Sequence, residues 1–496
     1  MSCYPPTVLT LLVLWACETP RSYPQGPRVA LVGIDGGDWD ILDPMIGEGH
    51  LPNLAKIRQE GCTANLVIDS AQSPNSWTSI ATGHHPEEHG IQQGNSGVGG
   101  TFGATQEQIK KHRIWDMTSR WGRSTFVINY WITAPAYAIN GVMISREGDS
   151  AFPPGIDGDR GFDVTPAVHA EEITRMGVGL LRSGSMQSQL AKGDFDLIVL
   201  PFYGHDQSLH MLYAEWEAAQ QPEKLEGLGE TTRKQIVTGF EIVKETARLG
   251  DDLVGWAMDY VGEDGYVVLF SDHGHTRANP NERRVALSRS VLDGQRGTIE
   301  HGSVQLEGAT LKISHRMSTP VVNPLDYRMR VPVITIENDP DGTAKETLLA
   351  LVTPSGSPLL TTYRGGGLTA SRELIDTCGR TLGKYEGPQF SCFVNSGSHG
   401  LEDLGVFGVL GPGVVPGETT AEVETVDVTP TALWLMRLPT GEDLAGAPVT
   451  PCLQAPPEVA TIPTYETGKR PWTAQPPGYQ DDVQLQEWLK SMGYMD

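Results

Sequence analysis

The sequence predicts an α/β protein: a mostly parallel, doubly wound sheet with helices on both faces, interrupted by a β-rich insertion. Three observations point there. Short, continuously apolar runs recur along the chain and read as strands buried on both faces. Helical stretches separate several of them. One later stretch abandons that rhythm for alternating residues broken by Gly and Pro.

Residues 28–35 read RVALVGID, a buried parallel strand with an acid at its carboxyl end. Residues 50–61 predict a helix with Leu51, Leu54 and Ile57 on one face. Further strands are expected at 124–130 (STFVINY), 196–202 (DLIVLPF), 266–271 (YVVLFS) and 405–410 (GVFGVL). Helices are expected at 167–192 and 230–261. Residues 286–368, with segments such as TIEHGSVQLEGATLKIS and VPVITIE, read as a β-rich insertion or cap. The chain thus divides into a leader (1–24), an α/β body (25–285 and 369–450), the insertion (286–368) and a Pro-rich tail (451–496). The tail is expected to wrap the surface and end in a short helix near 485–492. No tandem repeat is present.

The 496 residues carry 37 Lys+Arg against 61 Asp+Glu, a formal charge of −24. That argues against a nucleic-acid backbone as the main partner. It leaves room for a small phosphate-bearing substrate if bound metal ions supply local positive charge. With 39% hydrophobic and 20% charged residues, the chain is neither disordered nor a multi-span membrane protein.

The apolar run 7–16 is too short to span a bilayer comfortably but fits an export signal, although no Lys or Arg precedes it. Leu14-Trp15-Ala16-Cys17 resembles a bacterial lipoprotein cleavage box. The expectation is an exported protein, periplasmic or held at a membrane by a lipid on Cys17. Without the leader, Cys62, Cys378, Cys392 and Cys452 remain, an even number that permits disulfides in an exported protein. Cys378 and Cys392, close in sequence, are the better pair. No CxxC occurs, which argues against a thiolate zinc site.

Four acid and histidine clusters fall at or just beyond expected strand ends: Asp35 in GIDGG, Asp206 and His210 in DQSLH, Asp272 and His273 in SDHG, and His399 in GSHG. Ligands of open α/β sheets bind outside the carboxyl ends of the strands, so these distant clusters can converge. Asp and His are ligands for divalent transition metals. Asp206 and His210 are spaced i, i+4, which puts both on one helix face. Ser73, before Pro74 at an apparent helix start, is either a helix cap or a nucleophile. The second role requires something to lower the pKa of its hydroxyl, and a bound metal does that.

These blocks together resemble the alkaline phosphatase superfamily, in particular its type I phosphodiesterase/nucleotide pyrophosphatase branch and the bacterial relatives. VGIDGGDWD, LPNLAKIRQEG, SPNSWTSIATGHHPEEHGI, INYWITAPAYAINGVMIS, DQSLHMLY, SDHG, SGSHG and VDVTPTALWLMRLP are similar to family blocks in the same order. The resemblance implies an α/β/α sandwich and a phosphoric ester hydrolase with two divalent ions, zinc or alternatively manganese. It implies that Asp35, Asp272 and His273 hold one ion, that Asp206, His210 and His399 hold the other, and that Ser73 is the nucleophile. Many nucleotide pyrophosphatases have Thr there, then a residue, then Pro. Here Pro74 follows Ser73 directly, so the substrate preference stays open between diesters and monoesters. A sulfatase is excluded because no C/S-x-P-x-R box is present.

Asn75, Asn95 and Trp131 are candidate substrate contacts, with Tyr203 a further aromatic. His275 is a candidate to reach the cleft, whereas His205 is expected to point away. His84, His85 and His89 look like a metal trio, but in the family pattern they belong to a turn after the nucleophile helix. Alternative activities are a phosphomonoesterase or a phospho-head-group transferase of the same superfamily. A non-enzymatic metal-binding relative is disfavoured because all six ligand positions and Ser73 are filled by competent residues.

Overall fold

The computed structural model describes residues 25–92, 104–146, 150–153, 170–175, 193–295, 297–299, 301–318, 325, 327–383, 385–468 and 470. The leader with Cys17, Asn95, most of the expected 167–192 helix and the expected helix at 485–492 lie outside the described residues. No helix among the described residues is long and apolar enough to cross a membrane.

The apolar runs form the centre of the main sheet. Its strands begin with β1 (Val29–Ile34), β2 (Cys62–Val67), β3 (Thr125–Tyr130), β4 (Gly141–Ser145), β5 (Ala151–Phe152), β6 (Leu197–Phe202) and β7 (Tyr266–Phe270). A second sheet follows, with β8 (Thr276–Ser288), β9 (Thr298–Ile299), β10 (Gly302–Leu306), β11 (Ala309–Ser318), β12 (Arg328–Glu337), β13 (Leu360–Thr362), β14 (Leu368–Ala370), β15 (Tyr385–Glu386) and β16 (Phe390–Ser398). The chain then returns to the main sheet with β17 (Gly405–Leu410), β18 (Gly417–Glu418) and β19 (Val423–Glu424).

The main sheet has the order β18-β2-β17-β7-β1-β6-β3-β4-β5, with β19 also on β2. Strands β7, β1, β6, β3 and β4 are parallel, while β17 runs antiparallel to both its neighbours. Alternate residues of β1 enter opposite cores: Val29 and Leu31 one, Ala30, Val32 and Ile34 the other. That two-sided burial explains the unbroken apolar run and makes the body an α/β/α sandwich. The helix Glu230–Val261 buries Ile242, Val243, Leu249, Leu253, Val254 and Ala257 on one face, at successive spacings of one, six, four, one and three residues, and closes at Gly262.

The second sheet reaches past both ends of the 286–368 stretch, from Thr276 to Ser398. Its β8 reads TRANPNERRVALS, whose polar first half and Pro280 hide a strand from sequence reading. β8 and β16 pair antiparallel as a long ribbon ending at Thr276 opposite Ser398. The tail is less detached than its composition suggests. Leu453 bridges to Val414, Thr461–Ile462 pairs with Thr440–Gly441, and Tyr465 is buried in the core.

Among the described residues there are two disulfides, Cys378–Cys392 and Cys62–Cys452. They close loops of very different length, with separations of 14 and 390 residues. On the chain-entropy account the long loop is worth about 6 kcal/mol and the short one about 3. Replacing Cys62 and Cys452 by Ser is therefore expected to lower the chemical unfolding midpoint more than replacing Cys378 and Cys392. Equal losses would refute the loop-length account.

Candidate active site

β7, β1 and β6 lie side by side, and each hands the chain to a functional cluster at its carboxyl end. Asp35 follows β1, and its N–H donates to Phe202 O at 2.9 Å, so the backbone ladder continues to the carboxylate-bearing residue. Gly36 must be glycine: its φ is +66°, and a Cβ there would sit 2.9 Å from the Cβ of Asp206. Its N–H donates to Asp272 Oδ1 at 3.4 Å. Asp38 caps the next helix by accepting from Asp40 N, and also accepts from His275 N at 3.1 Å. The Ser271 hydroxyl donates to Gly37 O and accepts from Val406 N, which pins the turn below the cluster.

β6 leads into the helix Gly204–Ala219, where one turn does bring Asp206 and His210 together, Oδ1 to Nε2 at 3.3 Å. His210 Nδ1 faces Gly397 O at 3.1 Å, which makes it the protonated nitrogen and leaves the Nε2 lone pair on the side of Asp206. His273 is arranged alike. Its Nδ1 meets Gly274 O at 2.9 Å, and its Nε2 lies 3.2 Å from Asp272 Oδ2 and 3.6 Å from Asp35 Oδ1. His399, half-buried, stacks on His273 with ring centroids 3.6 Å apart.

Three overlapping groups result, each with one ligand atom per residue and all atoms within 4.8 Å: Asp35–Asp272–His273, Asp206–His210–His275 and Asp206–His273–His399. The first is the trio the resemblance implies. The second implied trio, Asp206–His210–His399, is divided between the other two groups, although the His210 and His399 rings are only 5.2 Å apart.

The electrostatics suit cations. Burial, then the charges of Asp272 and Asp206, raise the Asp35 carboxyl well above its usual range, with Arg146 opposing. Burial and Asp206 likewise raise Asp272. Burial pushes Asp206 up as well, but His210, His275 and His273 around it hold it well below the usual range. Burial lowers His210, and lowers His275 to about 3, so both imidazoles are neutral at neutral pH. Among the described residues, Asp35 Oδ1 and Asp272 Oδ2 are buried without hydrogen-bond partners. Buried carboxylates that repel one another, beside neutral imidazoles, are a donor set that divalent ions fit.

Ser73 is the first residue of the helix Ser73–Thr82, and its Oγ lies 3.3 Å from His273 Nε2. The cap position belongs to Gln72, and no side chain caps this helix, so the Ser73 hydroxyl is not used as a cap. Asn75 sits two residues further on, buried, with Oδ1 unpartnered. Trp131 is buried edge-on to Tyr203, with the Arg146 guanidinium over its ring at 3.0 Å. Arg146 escaped the sequence reading. The signal available was a basic residue just after the apolar run GVMIS, which was not read as a strand. His205 is buried; among the described residues neither ring nitrogen has a hydrogen-bond partner, and it belongs to none of the metal-ligand groups.

His84, His85 and His89 are held in the turn after the Ser73 helix. His84 Nδ1 meets Glu88, His85 Nδ1 meets Asp69, and Ile91 N donates to His89 Nδ1. His89 Nε2 then donates to Ser79 Oγ, which donates to Asp69. None of the three belongs to a metal-ligand group among the described residues. Burial, reinforced by His84 and His85, lowers His89 from 6.5 to about 3. The unfolded chain therefore binds a proton that the folded protein refuses. This group's contribution to stability is complete above pH 6.5 and is lost as pH falls from 6.5 towards 3, a shift worth roughly 5 kcal/mol. Urea midpoints of the metal-free protein are expected to fall across that window, and less steeply for His89→Gln. Equal slopes would exclude His89 as a source of acid sensitivity.

An α/β/α fold with carboxylates and imidazoles gathered at the carboxyl ends of its parallel strands is the arrangement of metal-assisted hydrolases of the alkaline phosphatase superfamily. Residues 29–339 match the model of the type I phosphodiesterase/nucleotide pyrophosphatase family, so the chain belongs to that family and is a phosphoric ester hydrolase. His399 lies beyond the matched span. No curated protein sequence matches the chain. Among solved structures, human ectonucleotide pyrophosphatase/phosphodiesterase 5 is similar at 15% identity, over 86% of this chain and 100% of that chain, with a TM-score of 0.41. An inactive murine form of that protein, in complex with AMP, is similar at 14% identity, over 83% and 95% of the two chains, with a TM-score of 0.36.

Proposed function

We propose that the chain hydrolyses small phosphodiesters or pyrophosphates through two divalent ions and a covalent phosphoserine at Ser73. The observation that carries this reading is the Ser73 hydroxyl, free of any capping role and 3.3 Å from His273 Nε2 at the edge of the Asp35–Asp272–His273 trio. The second ion is assigned to Asp206, His210 and His399, with imidazole and carboxylate donors favouring zinc over manganese. Bound ions would supply the charge that lowers the pKa of the serine hydroxyl and steadies the phosphoryl oxygens.

Ser73 Oγ attacks phosphorus in line and loses its proton to solvent. The bond to the leaving oxygen breaks, and that oxygen takes up a proton. Water then cleaves the phosphoserine and restores the hydroxyl. The positive end of the Ser73–Thr82 helix faces the transferred group. Asn75, Asn95 and Trp131 are proposed substrate contacts, with Arg146 on the Trp131 ring adding a cation. The two disulfides support an exported protein, with Cys17 as the proposed lipid site.

The test is kcat/KM of the zinc-loaded protein on bis-p-nitrophenyl phosphate against p-nitrophenyl phosphate. A strong diester preference is expected. A strong monoester preference would replace the diesterase reading with a phosphatase on the same ligand set.

A further inference from the structure

We propose that His275 is a ligand of the second ion, joining Asp206 and His210, so that this site binds metal through an imidazole beyond the set the family resemblance implies. The inference rests on the two-ion reading above. It begins with the register of the β8/β16 ribbon. Thr276 opens β8 and pairs with Ser398, which closes β16. His275 and His399 therefore leave the same end of the ribbon side by side, with ring centroids 5.8 Å apart. His275 Nδ1 lies 3.4 Å from Asp206 Oδ1, and His210 Nε2 lies 3.3 Å from the same oxygen. Those atoms form one of the three candidate ligand groups.

The surroundings of the ring are built for this. Its side chain is fully buried; among the described residues Nε2 has no hydrogen-bond partner, and Nδ1 has only a long contact to Asp206 Oδ1. A buried polar group left unsatisfied costs about 1–3 kcal/mol, so a buried imidazole in that state calls for a partner. Tyr213 lies nearly parallel to the ring, with centroids 5.9 Å apart. Backbone closes the Nε2 side: a Cβ at Gly397 would stand 2.4 Å from Nε2, so only glycine fits there. The carbonyl of that same Gly397 orients His210. The main chain is tied down where the His275 N–H donates to Asp38 Oδ2. Nδ1 is the nitrogen left facing Asp206.

The consequence is a difference between the two sites. The first offers two carboxylates and one imidazole, the second one carboxylate and several imidazoles. Imidazole favours zinc, cobalt, nickel and copper, whereas oxygen donors suit manganese and magnesium. Manganese should fill the first site and compete poorly for the second.

The experiment titrates the metal-free full chain with Zn²⁺ and Co²⁺ against a competing chelator, for wild type, His275→Asn and His275→Leu. Wild type is expected to bind two equivalents. Both variants should keep the first at wild-type affinity, which also shows that they fold, and bind the second at least tenfold more weakly, with an altered Co²⁺ visible spectrum. If His275→Asn binds both ions like wild type, the inference fails. If only His275→Leu is weakened, the ring merely orients Asp206 by a hydrogen bond, and the ligand role is overturned. If wild type itself binds fewer than two equivalents, the two-ion reading fails and takes this inference with it.

Discussion

Ser73→Ala is expected to lose at least about 10³-fold in turnover while keeping its metal, its fold and its thermal midpoint. The separation of these effects follows from the local geometry. A serine at a helix start usually earns its place by capping, and its loss then costs stability. Here Gln72 occupies the cap and the Ser73 hydroxyl turns to His273 Nε2 instead. Alanine is a good helix former, so the first turn of Ser73–Thr82 should not notice the change. Metal analysis should find the wild-type content, because the carboxylate and imidazole donors of Asp35, Asp272 and His273 all remain. Acid quenching during turnover should trap phosphate on wild type and none on the variant. Wild-type turnover in Ser73→Ala would remove the nucleophile assignment.

Asp206→Asn should be nearly as damaging for a different reason. Asp206 belongs to two of the three ligand groups, and its Oδ1 faces both His210 and His275. Asparagine keeps the shape and removes the charge. One equivalent of metal should be lost, with turnover falling at least about 10³-fold, since one bound ion supplies several kcal/mol of transition-state stabilisation. The metal-free protein should also suffer. His210, His275 and His273 hold Asp206 well below its usual range, so its ionised carboxylate favours the folded state. The thermal midpoint of metal-free Asp206→Asn at neutral pH is therefore expected to fall below that of metal-free wild type, even though its repulsion with Asp35 and Asp272 is relieved. Retention of both ions would take Asp206 out of the site.

The sequence made β1, β3, β6, β7 and β17 legible because strands buried on both faces must be apolar at every position, and that leaves an unbroken run. β2 (CTANLV) and β8 (TRANPNERRVALS) lack that signature and went unread. Asp206 and His210 could be paired because one helical turn joins them. The neighbours of His275 and His399 could not, since their adjacency depends on pairing between two strands far apart in the chain. Ser73 was ambiguous for a similar reason. Whether a serine or the residue before it caps a helix depends on one backbone turn, which composition does not report. The Cys62–Cys452 bridge spans 390 residues and left no local trace.

The ribbon that ends at Thr276 and Ser398 also limits how this enzyme can be rebuilt. A second sheet inserted into a catalytic body invites exchange, as though it were a module that tunes specificity and nothing else. Here its two boundary strands run directly into His275 and His399. A chimaera joined at those points inherits from its donor the spacing between the two histidines. Donor sheets that end with the same pairing should yield metal-loaded hybrids. A donor offset by one residue should yield a folded, metal-poor one, however well its substrate-facing surface is chosen.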